Sequence, residues 1–403
     1  MSLVLHNALL DDKAVDITID NGLIVSVFDS NSPTKIEGVD AEGGMKDQSV
    51  DCSGLAVFPS LCNMHSHAPM TLFRGLGDDQ PLDVWLNDYI WPAEQKLTDE
   101  LVYEGTLQAC REMLASGTTF FNDMYFRLPA MAQAVRDSGI KARLGFNFFG
   151  DADDLKDFQF STFNFQFSIA PHSIYTVSEK GLRRCADACS DLGVPMHIHM
   201  SETQKEIDDC LREHGCRPWE WLNKLGILDK LGENIIAAHC LHLSAGEIKL
   251  IGDHHITCVH CPNSNLKLGS GYRFPMLELL DAGAKVTLGT DGSASSNNLD
   301  MIEVMKTAAL LQKGWRGDPT VVPAAQILSL ATLGHTIAPG QPADLFLIEN
   351  LELKIENWLP HPDNSQLSTL NSQLSNLVYA THGDSVALTM VDGKVVYRKE
   401  IRN

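Results

Sequence analysis

His65 and His67 stand one residue apart in the stretch LCNMHSHAPM, soon after the apolar run GLAVFPS. Residues i and i+2 of a strand point to the same side, so GLAVFPS predicts a strand that delivers both imidazoles to one point at its end. Two imidazoles at one point can bind a metal ion. An isolated pair is also compatible with two hydrogen-bonded histidines, and only further ligands elsewhere in the chain can decide between these interpretations.

Three later apolar segments end in residues of the same types. VPMHIHMSE carries His197, His199 and Glu202, IIAAHCLH carries His239 and His242, and VTLGTDGSAS carries Asp291. Imidazole nitrogens with one carboxylate are a donor set that suits zinc or another borderline divalent ion, with one position left for water. The pattern therefore predicts a metal site that includes His65 and His67. It does not choose between His197 and His199, because both lie on one face of their strand.

These side chains need a scaffold that gathers strand ends. Between residues 58 and 339, short apolar strands such as TTFFNDM, KARLGFNFF, FQFSIAPH and KVTLGTD alternate with amphipathic helices such as EKGLRRCADACSDLG. This alternation predicts an α/β protein whose parallel sheet closes as a (β/α)8 TIM-type barrel, with its catalytic groups at the C-terminal ends of the strands. An open doubly wound sheet is the alternative, but no glycine-rich phosphate loop follows the first strand.

The two ends of the chain have a different pattern. Residues 1–57 and 340–403 alternate apolar and polar residues around turns at DDK, DNG and DG, which is typical of hairpins. We expect a small β-sandwich domain built from both termini, beside a catalytic barrel of residues 58–339. Residues 364–377 read NSQLSTLNSQLSNL, a repeated heptapeptide whose polar composition predicts an inserted surface loop.

The charge balance limits the partners. The chain has 31 basic and 52 acidic residues, a formal net charge of −21, which argues against nucleic acid or an anionic membrane. It has no apolar run long enough to cross a bilayer, and its ten cysteines form no dense framework, so we expect reduced thiols in a cytoplasmic protein. The CxxC pair Cys258 and Cys261 lacks the second pair of a zinc ribbon and predicts two buried thiols. We expect a small-molecule partner and a homo-oligomer.

At this point the motifs resemble a known family. The chain resembles the amidohydrolase superfamily in the motifs HSH, HIHMSE, AAHC and GTDG. It is similar to the 5-methylthioadenosine/S-adenosylhomocysteine deaminase group of that superfamily in the longer motifs HAPMTLFRGLGDDQPLDVWLNDYIWPAE, NDMYF, APHSIY, SNLKLGSG and LGTDGSASSNNLDM. The resemblance covers the barrel and both flanking β segments. It implies one divalent metal ion, zinc with iron(II) as an alternative, bound by His65, His67, His199 and Asp291. FQFSIAPHS offers no lysine to bridge a second ion.

The resemblance also implies an activity, the hydrolytic deamination of an adenine nucleoside (methylthioadenosine, adenosine or S-adenosylhomocysteine) at a cyclic amidine C–N bond. A water whose pKa the metal lowers from 15.7 to about 7 attacks the ring carbon that carries the amino group. Asp291 takes the water proton, His239 orients the nucleophile and stabilises the oxyanion, and Glu202 protonates the ring nitrogen before ammonia leaves. Glu94 is implied to bind the ribose hydroxyls and His172 to contact the substrate.

Two alternatives stay open at this stage. One is the same scaffold acting on another amino- or chloro-substituted heterocycle, such as guanine, a pterin or a triazine. The other is a barrel without catalysis, against which the complete set of four ligands and Glu202 argues.

The chain departs from the family in the residues expected around the 5′ group of the nucleoside. The resemblance implies arginines after the third strand, which hold the amino-acid carboxylate of S-adenosylhomocysteine. We align Phe146 at that place, with Arg143 on the opposite face of the strand. The loop that follows carries one cation and four acids: Lys156, Asp151, Asp153, Asp154 and Asp157. This predicts a preference for methylthioadenosine or adenosine over S-adenosylhomocysteine.

Overall fold

The computed structural model describes residues 2–11, 13–30, 48–157, 164–349 and 372–400. The chain divides into two compact units. The first comprises Met1–Leu61, Met113–Thr119 and Ala324–Asn403, and the second comprises Cys62–Glu112 and Phe120–Pro323. The boundaries expected at residues 57/58 and 339/340 stay a prediction.

Sixteen strands lie in the described part of the chain. They are β1 (Leu3–Leu10), β2 (Lys13–Asp20), β3 (Leu23–Asp29), β4 (Gln48–Asp51), β5 (Leu55–Pro59), β6 (Leu61–Ser66), β7 (Thr118–Tyr125), β8 (Lys141–Phe148), β9 (Gln166–Pro171), β10 (Met196–Met200), β11 (Ile235–His239), β12 (Thr257–His260), β13 (Lys285–Leu288), β14 (Leu345–Glu349), β15 (Val386–Val391) and β16 (Lys394–Arg398).

The first unit is built on one mixed sheet, in the order β16-β15-β14-β5-β1-β2-β3, with β4 paired to β1. Apolar side chains from both chain ends, among them Leu5, Ile17 and Leu347, form its core. The β domain predicted from both termini is therefore confirmed, and it is a single eight-stranded sheet. The prediction that the strand in GLAVFPS carries the histidines is wrong. That strand, Leu55–Pro59, pairs with β14 in this sheet, and the next strand, β6, carries His65.

The second unit contains the predicted barrel. Its eight strands, β6 to β13, lie side by side in chain order. Each strand from β7 to β12 pairs in parallel with the next strand. All five residues of β10 are buried, as expected for a parallel strand covered on both faces. The ends of β13 and β6 are joined where the backbone N–H of Asp291 donates to the carbonyl of His65 at 2.9 Å. This arrangement confirms the (β/α)8 fold class.

Helices follow the strands. The α-helices are α1 (Leu82–Val84), α2 (Trp91–Glu94), α3 (Asp99–Ala115), α4 (Leu128–Ser138), α5 (Glu179–Leu192), α6 (Gln204–His214), α7 (Pro218–Lys224), α8 (Ile227–Leu231), α9 (Ala245–Asp253), α10 (Pro262–Lys267), α11 (Met276–Asp281), α12 (Ser293–Ser296), α13 (Met301–Arg316), α14 (Ala324–Ala331) and α15 (Ser372–Tyr379). Trp85–Ile90 is a π-helix, and Ala68–Phe73, Asp153–Asp157, Gly232–Asn234 and Gly383–Ser385 are 3-10 helices.

The repeated heptapeptide was expected to form a surface loop. The second copy of the repeated heptapeptide belongs to α15, where Leu377 and Val378 are buried, so the predicted surface loop is wrong for that copy. Residues 364–371 lie outside the described residues.

All ten cysteines are free and buried, as expected of reduced thiols. Within the described residues, every helix is too short or too polar to cross a membrane.

The closure of the barrel generates a prediction. A Cβ added at Gly289 would lie 2.8 Å from the backbone nitrogen of His65 and 2.9 Å from its Cβ, so Gly289→Ala must push β13 away from β6. We expect this overpacking to lower the free energy of unfolding by about 1–3 kcal/mol, measured by urea denaturation. Gly314→Ala is the matched control, because a Cβ there meets nothing within 4 Å. Equal stability of the two variants would show that the closure has room to relax.

Candidate active site

The ends of β6, β10, β11 and β13 bring the predicted ligands together in the barrel. The Nε2 atom of His67 lies 3.2 Å from Oδ1 of Asp291 and 3.3 Å from Nε2 of His199. Nε2 of His65 lies 3.4 Å from the same carboxylate oxygen. Ligand atoms of His65, His67 and His199, and likewise those of His65, His239 and Asp291, lie within 4.8 Å of one another, and all five side chains are buried.

Hydrogen bonds to the backbone fix which ring nitrogen of each histidine faces the cluster. Nδ1 of His67 lies 2.6 Å from the carbonyl of Met124, and Nδ1 of His199 lies 2.7 Å from the carbonyl of His172. A carbonyl only accepts, so each Nδ1 carries a proton, and the other ring nitrogen, Nε2, is the one that faces the cluster, where the two Nε2 atoms lie 3.3 Å apart. Nε2 of His65 is buried without a hydrogen-bond partner. Imidazole nitrogens gathered in this way fit a divalent metal ion, which would take the place of the proton on Nε2 of His67.

His197 lies behind His65 and does not face the cluster. Its Nε2 is 2.9 Å from Nδ1 of His65, and its Nδ1 is 3.0 Å from the side-chain nitrogen of Asn122. His197 therefore holds the far side of the His65 ring, in the way that outer partners orient ligating histidines. The structure separates the two candidates that strand alternation left open, since His199 faces the cluster and His197 does not.

The electrostatics of the cluster favour a bound cation. Burial lowers the pKa of His65 to about 4 and that of His199 well below its usual value. Burial also lowers the pKa of His67, but the adjacent Asp291 carboxylate outweighs it and raises the value to about 9. Burial alone would raise the pKa of Asp291, whereas His65 and His67 hold it well below its usual range. The protein thus keeps an ionised carboxylate among imidazoles at the site.

Glu202 and His239 stand at the edge of this cluster. Oε2 of Glu202 lies 3.7 Å from Nε2 of His239, and both side chains are buried. Burial raises the pKa of Glu202, while His239 partly opposes the rise. A carboxyl group that retains its proton to higher pH than in water can act as a general acid.

A cleft opens above these groups, with about 570 Å³ of empty space, part of it open solvent. Seven of the predicted site residues line it: His67, Glu94, His172, His199, Glu202, His239 and Asp291. Apolar side chains from the π-helix, including Trp85 and Ile90, form another wall. Among the described residues that line the cleft, none is a lysine or an arginine. The cleft therefore suits a largely apolar ligand with a few polar groups.

Glu94 follows the π-helix in α2 and faces the cleft beside Tyr125. Burial raises the pKa of Glu94, and the adjacent Tyr125 hydroxyl opposes this rise. Tyr125 itself is missing from the residues predicted from the sequence, although it closes the quoted motif NDMYF at the end of β7.

The alignment of Phe146 with a cleft position is wrong. Its ring packs edge-on against Phe167 with 6.1 Å between centroids, and the residues of this region that line the cleft are Asn147 and Phe149. A one-residue shift along a strand moves a side chain to the other face. Arg143 is outside the cleft lining, but not for the expected reason: it shares a strand face with Asn147 and lies four residues before it in β8.

The acidic loop after β8 is also less negative than its sequence suggests. Asp151 forms an ion pair with Lys180 at 2.7 Å, and Asp153 forms one with Arg184 at 2.6 Å. The case for a neutral 5′ group therefore depends on the cleft lining, which contains no cation, and not on these acids.

Comparisons with known proteins agree with this geometry. A family model described as "Amidohydrolase family" matches residues 56–396. The chain is 37% identical over 405 residues to the 5′-deoxyadenosine deaminase of Methanothermobacter thermautotrophicus, covering 95% of this chain and 89% of that protein. It is 39% identical over 377 residues to the 5-methylthioadenosine/S-adenosylhomocysteine deaminase of Moorella thermoacetica, covering 88% and 84%. A solved adenosine deaminase from Xanthomonas campestris with bound zinc has a TM-score of 0.82 and 32% identity, covering 98% and 92%.

The geometry predicts the metal content. We expect about one zinc ion per chain, measured by elemental analysis after dialysis, and a loss of most of it in His199→Ala because one of the converging lone pairs is removed. His335→Ala is the control, since that histidine is exposed and distant in sequence from the site. Full zinc content in the His199→Ala protein would exclude this residue from the ligands.

Proposed function

The chain belongs to the amidohydrolase family, and on that premise we propose that it is a metal-dependent deaminase that removes the amino group of an adenine nucleoside by hydrolysis. The relatives named as deaminases of 5′-deoxyadenosine, methylthioadenosine and S-adenosylhomocysteine support this substrate class. The observation that carries the proposal is a buried carboxyl group of raised pKa, Glu202, beside His239 at the rim of the metal site. Attack on a purine ring needs such an acid, because the ring carbon becomes electrophilic when a neighbouring nitrogen gains a proton.

In this proposal His65, His67, His199 and Asp291 hold the metal ion. When bound there, zinc lowers the pKa of a coordinated water to about 7 and so makes a nucleophile available at neutral pH. Asp291 keeps its carboxylate ionised, so it can take a proton from the attacking water. Its backbone, with a φ of 63°, turns the chain out of β13 toward the cleft.

The remaining steps use the other side chains at the rim. His239 orients the attacking oxygen over the ring carbon and stabilises the negative charge that develops there. Glu202 donates its proton to the ring nitrogen. Asp291 passes the proton taken from water to the amino group, which leaves as ammonia. The hydroxyl that stays on the ring carbon then loses its proton, which restores the acid form of Glu202, and the product keeps a carbonyl group and a protonated ring nitrogen.

The nucleoside is held by groups further from the metal. We propose that Glu94 accepts hydrogen bonds from the ribose hydroxyls beside Tyr125. We also propose that His172, which burial keeps neutral with a pKa of about 3, contacts the substrate. Other heterocycles and a non-catalytic barrel have no specific observation in their favour. The cytoplasmic location and the homo-oligomer stay predictions.

The acid role of Glu202 predicts a defined loss. Glu202→Gln keeps the size of the side chain but cannot donate the proton, so we expect kcat to fall on the order of 10²–10⁴-fold while zinc content is retained. Steady-state kinetics on methylthioadenosine, with zinc analysis of the same preparation, measure this. A loss under about tenfold would leave Glu202 as a charge at the start of α6 without a catalytic role.

The activity itself, and the preference at the 5′ group, are tested by ammonia release from a panel of nucleosides. No cation lines the described cleft, so the carboxylate of S-adenosylhomocysteine has no partner there. We expect kcat/KM for methylthioadenosine and 5′-deoxyadenosine to exceed that for S-adenosylhomocysteine by at least about tenfold, or roughly 1.4 kcal/mol.

A nucleoside with a neutral butylthio group at the 5′ position is the control for tail length. If it is rejected as strongly as S-adenosylhomocysteine, size and not charge sets the preference. The absence of ammonia from every adenine nucleoside would contradict the proposed function.

A further inference from the structure

The segment from Ser264 to Ser270, whose sequence is SNLKLGS, occupies a special place in the barrel. It begins in α10, directly after β12, and β12 pairs with β11 on one side and with β13 on the other. β11 ends in His239, and Asp291 follows β13. The segment therefore starts between the two strand ends that carry these groups. Three of its polar side chains are buried: Ser264, Asn265 and Ser270.

Ser264 contacts Asp291. Its hydroxyl donates to Oδ2 of the carboxylate at 2.5 Å, while the backbone N–H of Gly292 donates to Oδ1 at 2.8 Å. Oδ1 is also the oxygen that lies beside His65 and His67. The two donors thus hold the carboxylate plane and decide which oxygen faces the histidines.

Asn265 contacts His239. Its side-chain oxygen lies 2.8 Å from Nδ1 of that ring, which leaves Nε2 to face Glu202 and the cleft. The carbonyl of Asn265 accepts from the backbone N–H of Ser270 at 2.9 Å, so the start and the end of the segment are tied together. The amide fixes the plane of the imidazole that faces the reacting atoms.

Ser270 contacts Glu202. Its hydroxyl donates to Oε1 at 3.2 Å, which leaves Oε2 on the side of His239. The carbonyl of Ser270 lies 2.7 Å from Nε2 of His242, whose own carbonyl accepts from Arg217 at 2.7 Å. The residue that holds the acid is therefore itself anchored.

From these contacts we propose that Ser264, Asn265 and Ser270 are positioning residues of the reaction, and that this one segment sets the orientation of Asp291, His239 and Glu202 together. The inference rests on the proposed function of the same site. A buried polar atom costs free energy unless it is hydrogen-bonded, and here the two serine hydroxyls and the side-chain oxygen of Asn265 each bond to a different reacting group. The outer side of the helix is fixed separately, because Lys267 binds Asp78 and the carbonyl of Ala294.

The test is a double-mutant cycle. Ser270→Ala should lower kcat on the order of tenfold on methylthioadenosine, with KM within about twofold, because a hydrogen bond to the acid is lost. In the Glu202→Gln protein the same change should have little further effect, since the acid it positions is already gone. Ser264→Ala should keep its effect in that background, because it acts on Asp291.

Two controls separate positioning from folding. Ser270→Thr keeps the hydroxyl and should restore most of the lost kcat. Leu266→Ala changes an exposed residue of the same helix and should leave kcat unchanged. Zinc content and the thermal unfolding midpoint are measured for each variant, and both should stay near those of the unchanged protein.

The outcomes distinguish this inference from the proposed function. If the protein is active and Ser270→Ala lowers kcat by the same factor with and without Glu202→Gln, the positioning role is overturned. The deaminase assignment would then still stand. The same conclusion follows if Ser270→Ala changes only the unfolding midpoint. A protein that deaminates no adenine nucleoside would overturn both.

Discussion

The Nε2 atoms of His67 and His199 are held 3.3 Å apart in a buried place, beside the ionised carboxylate of Asp291. Backbone carbonyls of Met124 and His172 fix both rings, and a positive φ at His239 (74°) and at Asp291 (63°) turns the chain inward at two strand ends. Such backbone conformations cost on the order of 1–3 kcal/mol each for residues other than glycine. A metal ion bound by these nitrogens and by Asp291 would link the strand ends that carry them, so metal binding and folding stability should be coupled.

The same cluster explains how two carboxyl groups of one cleft take opposite roles. Both Glu202 and Asp291 are buried, which raises the pKa of any carboxyl group. Asp291 has two imidazoles against one oxygen, and they reverse the effect of burial. Glu202 has a histidine at 3.7 Å and a serine hydroxyl, which do not reverse it, and the negative charge of Asp291 adds to the rise. The proposed acid, Glu202, and the proposed base, Asp291, therefore differ in pKa because of their neighbours, although both are carboxyl groups.

The sequence pattern predicted the barrel and a metal site at its strand ends because strand ends are short, local patterns, while the choice of His199 over His197 came from the family resemblance. It failed where a choice depended on which face of a strand looks inward. Phe146 was placed in the cleft, but its neighbour Asn147 lies there, since one residue reverses the face. The strand before His65 was misassigned because Leu55–Pro59 and Leu61–Ser66 are separated by one residue, and only their pairing partners show that they are two strands. The contact between Ser270 and Glu202 spans 68 positions, and no local pattern reports it.

Different elements form the polar and the apolar walls of the cleft, and this difference indicates which wall can accept substitutions. The polar groups that we propose to act on the substrate stand at strand ends of a closed sheet, where a shift of one strand displaces its neighbours. Much of the apolar wall, including Leu82, Trp85 and Trp91, belongs to the helical excursion between β6 and α3. This excursion contains a π-helix, a form often found at functional sites, and it carries Glu94 as well. Substitutions there alter the fit of the nucleoside without moving a metal ligand, so substrate preference can vary while the reaction is kept.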